Sequence, residues 1–248
     1  MLKNGHIKTL LFKTGQRIFG RENWLFLLAQ FNLVRMRGVA YERGFRHFVD
    51  LLPHHGLVLD IGANLGVMSA YLAQQNHSRK IIAVEPIPMH IQVMNRLFRK
   101  KKLKNIVVIE RALSNQSGFV AMNIPLKNGV LQHGLASLET QKDTPGEKYE
   151  VQATTLDQLM ENHRDETLVG IKIDVENHEW EVLSGGMQTI LQHYPIIMVE
   201  LWNDSKKEQC LNALISLGYR AMYVNSKGEF LSYHGEDVLD YIFIPPAA

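Results

Sequence analysis

The chain has almost no cysteine. Cys210 is the single one among 248 residues, so no intrachain disulfide can form and a cysteine metal cluster is excluded. A reducing, cytoplasmic setting is therefore expected. Long apolar runs are missing too. The longest near the N-terminus, Trp24 to Val34, is interrupted by Gln30 and Asn32. It is too short and too polar to span a bilayer. It also lies late for a signal peptide and has no small-residue cleavage site after it. Excess charge of one sign is lacking as well. The formal net charge is +2, too near neutral to argue for nucleic acid or an anionic membrane as partner. Internal repeats and low-complexity tracts are absent.

What is present is enough apolar material for one core. Hydrophobic residues make up 46% and charged residues 21%, which suits one α/β domain with extensions better than two full domains. The charge is uneven. Residues 1–50 carry nine Lys/Arg against three Asp/Glu, a net of +6, which leaves −4 for the rest.

The N-terminal residues 1–55 read as a helical extension or cap. Ile7, Leu10, Leu11 and Ile18 recur at near-helical spacing, and Trp24–Val34 continues the apolar face. Tyr41–Leu52 predicts a further helix, closed by Pro53 and Gly56. This basic segment, with Phe12, Phe19, Trp24 and Phe26, has the composition of a membrane-surface helix. Its apolar content favours packing beside the cleft instead.

From residue 56 short apolar strands alternate with helices. Strands are predicted at 57–61, 81–84, 106–109, 169–173, 196–201, 218–224 and 240–244. Helices are predicted at 66–75, 89–102, 179–192 and 206–217, and one over 156–162 capped by Thr155. The continuous apolar strands suit a mostly parallel, doubly wound, Rossmann-like sheet of seven strands. Phe119–Ile124 predicts an additional strand. Lys127–Gly146, polar and glycine-containing, reads as a mobile loop over a site.

The sharpest motif is Asp60-Ile61-Gly62-Ala63-Asn64-Leu65-Gly66, between a strand and a helix. Glycines there let a ligand approach the backbone, and the helix N-terminus offers N–H groups to a carboxylate. Asp60 at the strand end can hold an ammonium group directly or through water. The dinucleotide fingerprint Gly-x-Gly-x-x-Gly is not met, because Asn64 and Val67 stand at the second and third glycine positions. A dehydrogenase is thereby disfavoured. Glu85-Pro86 follows the second strand, 23 positions beyond Gly62, where an acid can accept hydrogen bonds from a ribose. Finally, Asp174, Glu176, His178 and Glu179 gather at the end of the fourth strand. Acids at a helix N-terminus also suit its dipole, which accounts for Glu179 and Glu181 better than for Asp174.

These segments resemble the FkbM family of methyltransferases. The resemblance rests on Asp60 to Gly66, on Glu85-Pro86, and on Lys172-Ile173-Asp174-Val175-Glu176 with His178-Glu179, Leu183 and Gly185. Weaker matches are Ala112-Leu113-Ser114 with Gly118, Ala136-Ser137-Leu138, Thr155-Leu156-Asp157 and Glu200. It covers roughly residues 56–202, and residues 1–50 add nothing to it. Asn177 stands where the family usually has glycine, and asparagine tolerates the left-handed backbone better than most residues.

The resemblance implies a class I methyltransferase fold over residues 56–248 and S-adenosylmethionine as cofactor. It implies methylation of a hydroxyl on a sugar, glycolipid or secondary metabolite. Asp60, Gly62, Ala63, Asn64, Gly66, Glu85, Pro86, Ala112 and Asp174 are the cofactor-binding candidates. Methyl transfer to an alcohol needs its proton removed, and His178, Glu176 and Asp174, in that order, are the candidate bases. A Mg²⁺ route through Asp174, Glu200, Asn203 and Asp204 is the less favoured rival. Nucleic-acid methylation is argued down. Cys210 lies in a helix beyond the fifth strand, no Asn/Asp-Pro-Pro-aromatic motif follows the fourth, and the basic run Arg99–Lys104 suits a helix C-terminus. A non-catalytic cofactor-binding module is the remaining alternative. The presence of Asp60 and Glu85 speaks against it.

Overall fold

The computed structural model describes residues 12–38, 42–138, 145–202 and 206–247. Helix α1, described over residues 12–19, is followed by α2 (Arg21–Arg35) and α3 (Arg43–Leu51). The alternating segment begins with β1 (Gly56–Ile61), α4 (Val67–Gln75), β2 (Arg79–Val84), α5 (Pro88–Lys101) and β3 (Ile106–Ile109). An insertion supplies β4 (Ala112–Leu113), β5 (Gly118–Lys127), β6 (Val130–Leu131), a 3-10 turn (His133–Leu135), β7 (Ser137–Leu138) and β8 (Gly146–Thr154). The alternation resumes with α6 (Leu156–Glu161), β9 (Leu168–Ile173), α7 (Glu179–Ser184), α8 (Met187–His193), β10 (Ile196–Glu200) and α9 (Lys207–Ser216). Strands β11 (Arg220–Val224), β12 (Phe230–Ser232) and β13 (Asp240–Ile244) close it.

The main sheet has eight strands in the order β12-β11-β13-β10-β9-β1-β2-β3. Strands β3, β2, β1, β9 and β10 are parallel, whereas β13 pairs antiparallel with both β10 and β11, and β12 pairs antiparallel with β11. All seven strands expected from the apolar runs are in it, and β12 extends one edge. The runs are continuous because both faces are covered. Leu57, Leu59 and Ile61 face one core with Val182, Leu183 and Leu211. Val58 faces the other, with Phe45, Phe48, Met94 and Leu97. From β1 the chain winds outward through β2 and β3, then returns to pair β9 on β1's other side. Ligands of open sheets bind in the crevice at such a reversal.

The N-terminal helices share this second core. Helix α2 buries Leu25, Phe26, Ala29 and Leu33 against α4 and α5, and α3 lies against β10, β11 and β13. Trp24 packs between Phe12 and Phe19. Among the described residues no helix is long and apolar enough to cross a membrane.

Three local expectations change. The stretch 127–146 is not one open loop. Residues 130–138 form short strands and a 3-10 turn, while 139–144 lie outside the described residues. Strand β8 was not foreseen, although Tyr149, Val151 and Ala153 alternate with Glu150 and Gln152. It pairs antiparallel with β5 in a second sheet, β4-β8-β5-β6. The helix expected over 179–192 breaks at Gly185-Gly186 into α7 and α8. The Thr155 cap forms, its Oγ1 accepting the Gln158 N–H at 3.1 Å. Pro88 opens α5, where its missing N–H costs nothing.

Candidate functional site

A cleft of about 610 Å³, open solvent included, lies at the C-terminal ends of β1, β2 and β9. Gly62, Asn64, Glu85, Pro86, Asp174, Glu176 and His178 line it, with Ala112 and Leu113 of β4 and Gly134, Ala136 and Leu138 of the insertion. Ala63 and Gly66 lie beside it rather than on its surface.

The glycine-containing turn is shaped first by the protein's own packing. A Cβ on Gly62 would lie 1.8 Å from the Asp174 carbonyl oxygen, and φ is +76° there. The Gly62 and Ala63 N–H groups both donate to the Val84 carbonyl at 3.0 Å. At Gly66, φ +75°, a Cβ would meet Met94 Cγ at 2.5 Å. The turn is therefore locked onto β2, β9 and α5 before any ligand is considered.

Asp60, expected to meet an ammonium group directly or through water, is fully buried behind the cleft wall. Its Oδ2 accepts the Ser69 hydroxyl at 2.5 Å, and its Oδ1 stands 3.2 Å from Lys172 Nζ. A buried lysine needs such partners. Lys172 has a second in Asp174 Oδ2 at 3.3 Å, and it donates to the Gly62 carbonyl at 3.3 Å. Burial alone would lower its pKa, but Asp174 and Asp60 outweigh that and hold it above the ordinary lysine value. Sequence reasoning gave Lys172 no role of its own. The signal was a charge between Ile171 and Ile173 in a strand otherwise apolar.

Asp174 is the acid that reaches the cleft. Around it the carboxyls are crowded. Glu176 is pushed up to about 8, first by burial and then by Asp174, Glu200 and Glu179. Glu200 is pushed up to about 7 by burial and by Asp174 and Asp240. This shift favours the protonated form of Glu176 at neutral pH, in which it can donate a hydrogen bond. Glu176 and Asn177 take φ values of +53° and +71°, so the turn survives the exchange of glycine for asparagine. Among the described residues no group of three or more His, Cys, Asp or Glu side chains is arranged to hold a metal ion. Asn203 and Asp204 lie outside the described residues.

His178 precedes α7. Its Nε2 is 2.9 Å from Ser114 Oγ, and its Nδ1 is 3.4 Å from Oε2 of Glu181, whose other oxygen, Oε1, pairs with Lys206. Burial lowers its pKa, with Glu181 opposing and Lys206 reinforcing the shift. Burial thus favours the neutral imidazole. Ser114 and Glu181 as its neighbours were not foreseen.

Glu85 is held from three sides. Its Oε2 accepts the Asn64 N–H at 2.9 Å. Its Oε1 accepts the Ile87 N–H at 3.0 Å and lies 3.2 Å from His90 Nδ1.

The methyltransferase FkbM domain model matches residues 60–233. The chain belongs to the FkbM methyltransferase family. Another methyltransferase, sdnD of Sordaria araneosa, is 26% identical over 196 residues, which is 68% of this chain and 76% of that one. The crystal structure of methyltransferase FkbM from Methylobacillus flagellatus KT superposes with a TM-score of 0.54 at 16% identity, over 83% of this chain. This chain spans 47% of that one, and the likeness is one of fold. The FkbM match begins at Asp60, so helices α1 to α3 lie outside it.

Proposed function

We propose that the chain transfers a methyl group from S-adenosylmethionine to a hydroxyl on a sugar, glycolipid or secondary metabolite, with His178 as the base. The observation that carries this reading is the placement of His178, set between Ser114 and Glu181, in the same cleft as Glu85.

The cleft suits the cofactor chemically. Glu85 presents a carboxylate for a ribose diol, apolar Ile61, Val84 and Leu113 offer walls to a purine, and Asp174 offers negative charge to an ammonium group. Gly62, Asn64, Pro86 and Ala112 complete that side, with Asp60 acting from behind through Lys172. The cofactor supplies a methyl group already activated by its sulfonium. What remains for the chain is to hold the acceptor oxygen in line, which contributes about 7–11 kcal/mol in well-oriented reactions, and to take its proton. The imidazole takes it once Nε2, which faces Ser114 Oγ at 2.9 Å, exchanges that hydroxyl for the acceptor's, while Glu181 steadies the imidazolium that forms. The protonated Glu176 is a donor to the acceptor.

Calorimetric titration with S-adenosylhomocysteine, with NAD as control and Glu85→Ala as paired variant, tests the cofactor. Micromolar binding weakened tenfold or more by the variant is expected. A folded protein that ignores S-adenosylhomocysteine overturns the reading. Transfer of labelled methyl to a panel of glycans and small alcohols, with added Mg²⁺ or with EDTA, then tests the acceptor class and the metal-free route.

A further inference from the structure

The insertion reaches into the cofactor side of the cleft through a chain of three side chains. Glu85 Oε1 lies 3.2 Å from His90 Nδ1. His90 Nε2 lies 2.9 Å from Nδ1 of His133, on the 3-10 turn. His90 is fully buried and His133 is 5% exposed. The same turn is tied a second time, because Asn64 Nδ2 donates to the His133 carbonyl at 2.9 Å. Asn64 itself donates its N–H to Glu85, so the links form a closed circuit through Glu85, His90, His133 and Asn64.

The direction of each proton in this circuit follows from the carboxylate. An ionised Glu85 can only accept, so His90 Nδ1 carries the proton. In a neutral ring Nε2 then accepts, and His133 Nδ1 must donate to it. That leaves His133 Nε2 bare, and it is indeed a buried nitrogen with no hydrogen-bond partner among the described residues. Burial, then His90 and Arg21, push His133 down to about 4, which keeps it neutral as the circuit requires.

We propose that His90 and His133 are positioning residues for the cofactor: they fix the Glu85 carboxylate for an adenosine ribose and clasp the turn carrying Gly134, Ala136 and Leu138 over the bound ligand. This rests on the cofactor reading above. Neither histidine belongs to the motifs on which that reading was built. His90 lies inside α5 and His133 in the insertion, 43 residues apart. The clasp gives the insertion a role in cofactor binding.

The test is calorimetric titration of the full chain with S-adenosylhomocysteine, alongside amide hydrogen exchange with and without it. Four variants separate the links. His90→Leu fills space without donating. His90→Asn keeps a donor near the Nδ1 position but cannot reach His133. His133→Phe keeps a ring without the donor, and His133→Asn restores a donor there. His90→Leu is expected to weaken binding about tenfold or more, and His90→Asn by less than about threefold, since a charge-assisted hydrogen bond is restored. In wild type and His133→Asn, ligand slows exchange over residues 130–138. In His133→Phe and His90→Asn that protection is lost. If His90→Leu does not fold, the contrast between His133→Phe and His133→Asn decides alone. Folded variants that bind and protect as wild type overturn the clasp and leave the cofactor assignment standing. Wild-type protein that does not bind S-adenosylhomocysteine removes both.

Discussion

Lys172 Nζ stands 3.2 Å from Asp60 Oδ1, and neither side chain reaches solvent. The pair joins β9 to β1 directly beneath the cleft, and Asp174 completes it on the open side. Breaking a buried pair by removing one partner costs about 3–5 kcal/mol, because the other charge is left uncompensated. Lys172→Met should therefore lower unfolding stability by that order in urea titration. Adding Asp60→Asn to it should recover part of the loss. Equal losses in the single and double variants would mean the pair contributes only packing.

Gly62→Ala places a methyl group on top of the Asp174 carbonyl, at 1.8 Å, with φ at +76°. Backbone strain of this kind costs about 1–3 kcal/mol even without a clash. The variant should unfold at markedly lower urea and lose S-adenosylhomocysteine binding. Gly134→Ala is the control. Among the described residues nothing lies within 4 Å of its added Cβ, and it should fold like the parent.

Stability should fall as pH rises through neutrality. In the folded chain Glu176 is raised from 4.5 to about 8 and Glu200 from 4.5 to about 7. Below 4.5 both groups are protonated folded or unfolded. Above it the unfolded chain releases protons that the folded chain retains, so stability drops until the folded values are passed. Thermal melts between about pH 5 and pH 8 should show a declining midpoint, and Glu176→Gln should make the slope shallower. For a chain of this size each kcal/mol moves the midpoint by roughly 2–4 °C.

His178→Gln should lower methyl transfer by about 10²–10⁴-fold, the usual contribution of a positioned acid or base, with S-adenosylhomocysteine affinity unchanged. Glu181→Gln should cost less and shift the pH profile. A variant at His178 with full turnover would remove the histidine from the chemistry.

Asn177→Gly should be neutral or stabilising, and Asn177→Ala should lose up to about 1–2 kcal/mol, because alanine lacks the short polar side chain that offsets the cost of left-handed backbone in asparagine. Denaturant midpoints of the three proteins measure it directly.

The main sheet was legible because buried parallel strands leave unbroken apolar runs, as in Leu57–Ile61 and Ile81–Val84. The turn after β1 was legible because only glycine or asparagine suits its backbone. The insertion was harder. Strands β6 and β7 are two residues long, and a pair of residues carries no period. Strand β8 did alternate, but its outward half, Glu150 and Gln152, reads locally as loop. The roles of Lys172, His90 and His133 depend on contacts across 110 and 43 positions of chain, which no local pattern encodes. Asp60 was placed at the right strand end, yet its partner turned out to be the protein's own lysine.

The insertion's two ends are neighbours. Strands β4 and β8 pair in parallel, Ala112 with Ala153 and Leu113 with Thr154, so the chain leaves the main fold and re-enters it at one doorway. A segment bounded in this way behaves as a cassette. It can be lengthened, shortened or exchanged without moving the block that Gly62 and Asp174 lock together. The circuit through Asn64 and His90 sets the one condition on such an exchange, since any replacement cassette must bring its own hydrogen-bond donor to the place that His133 fills.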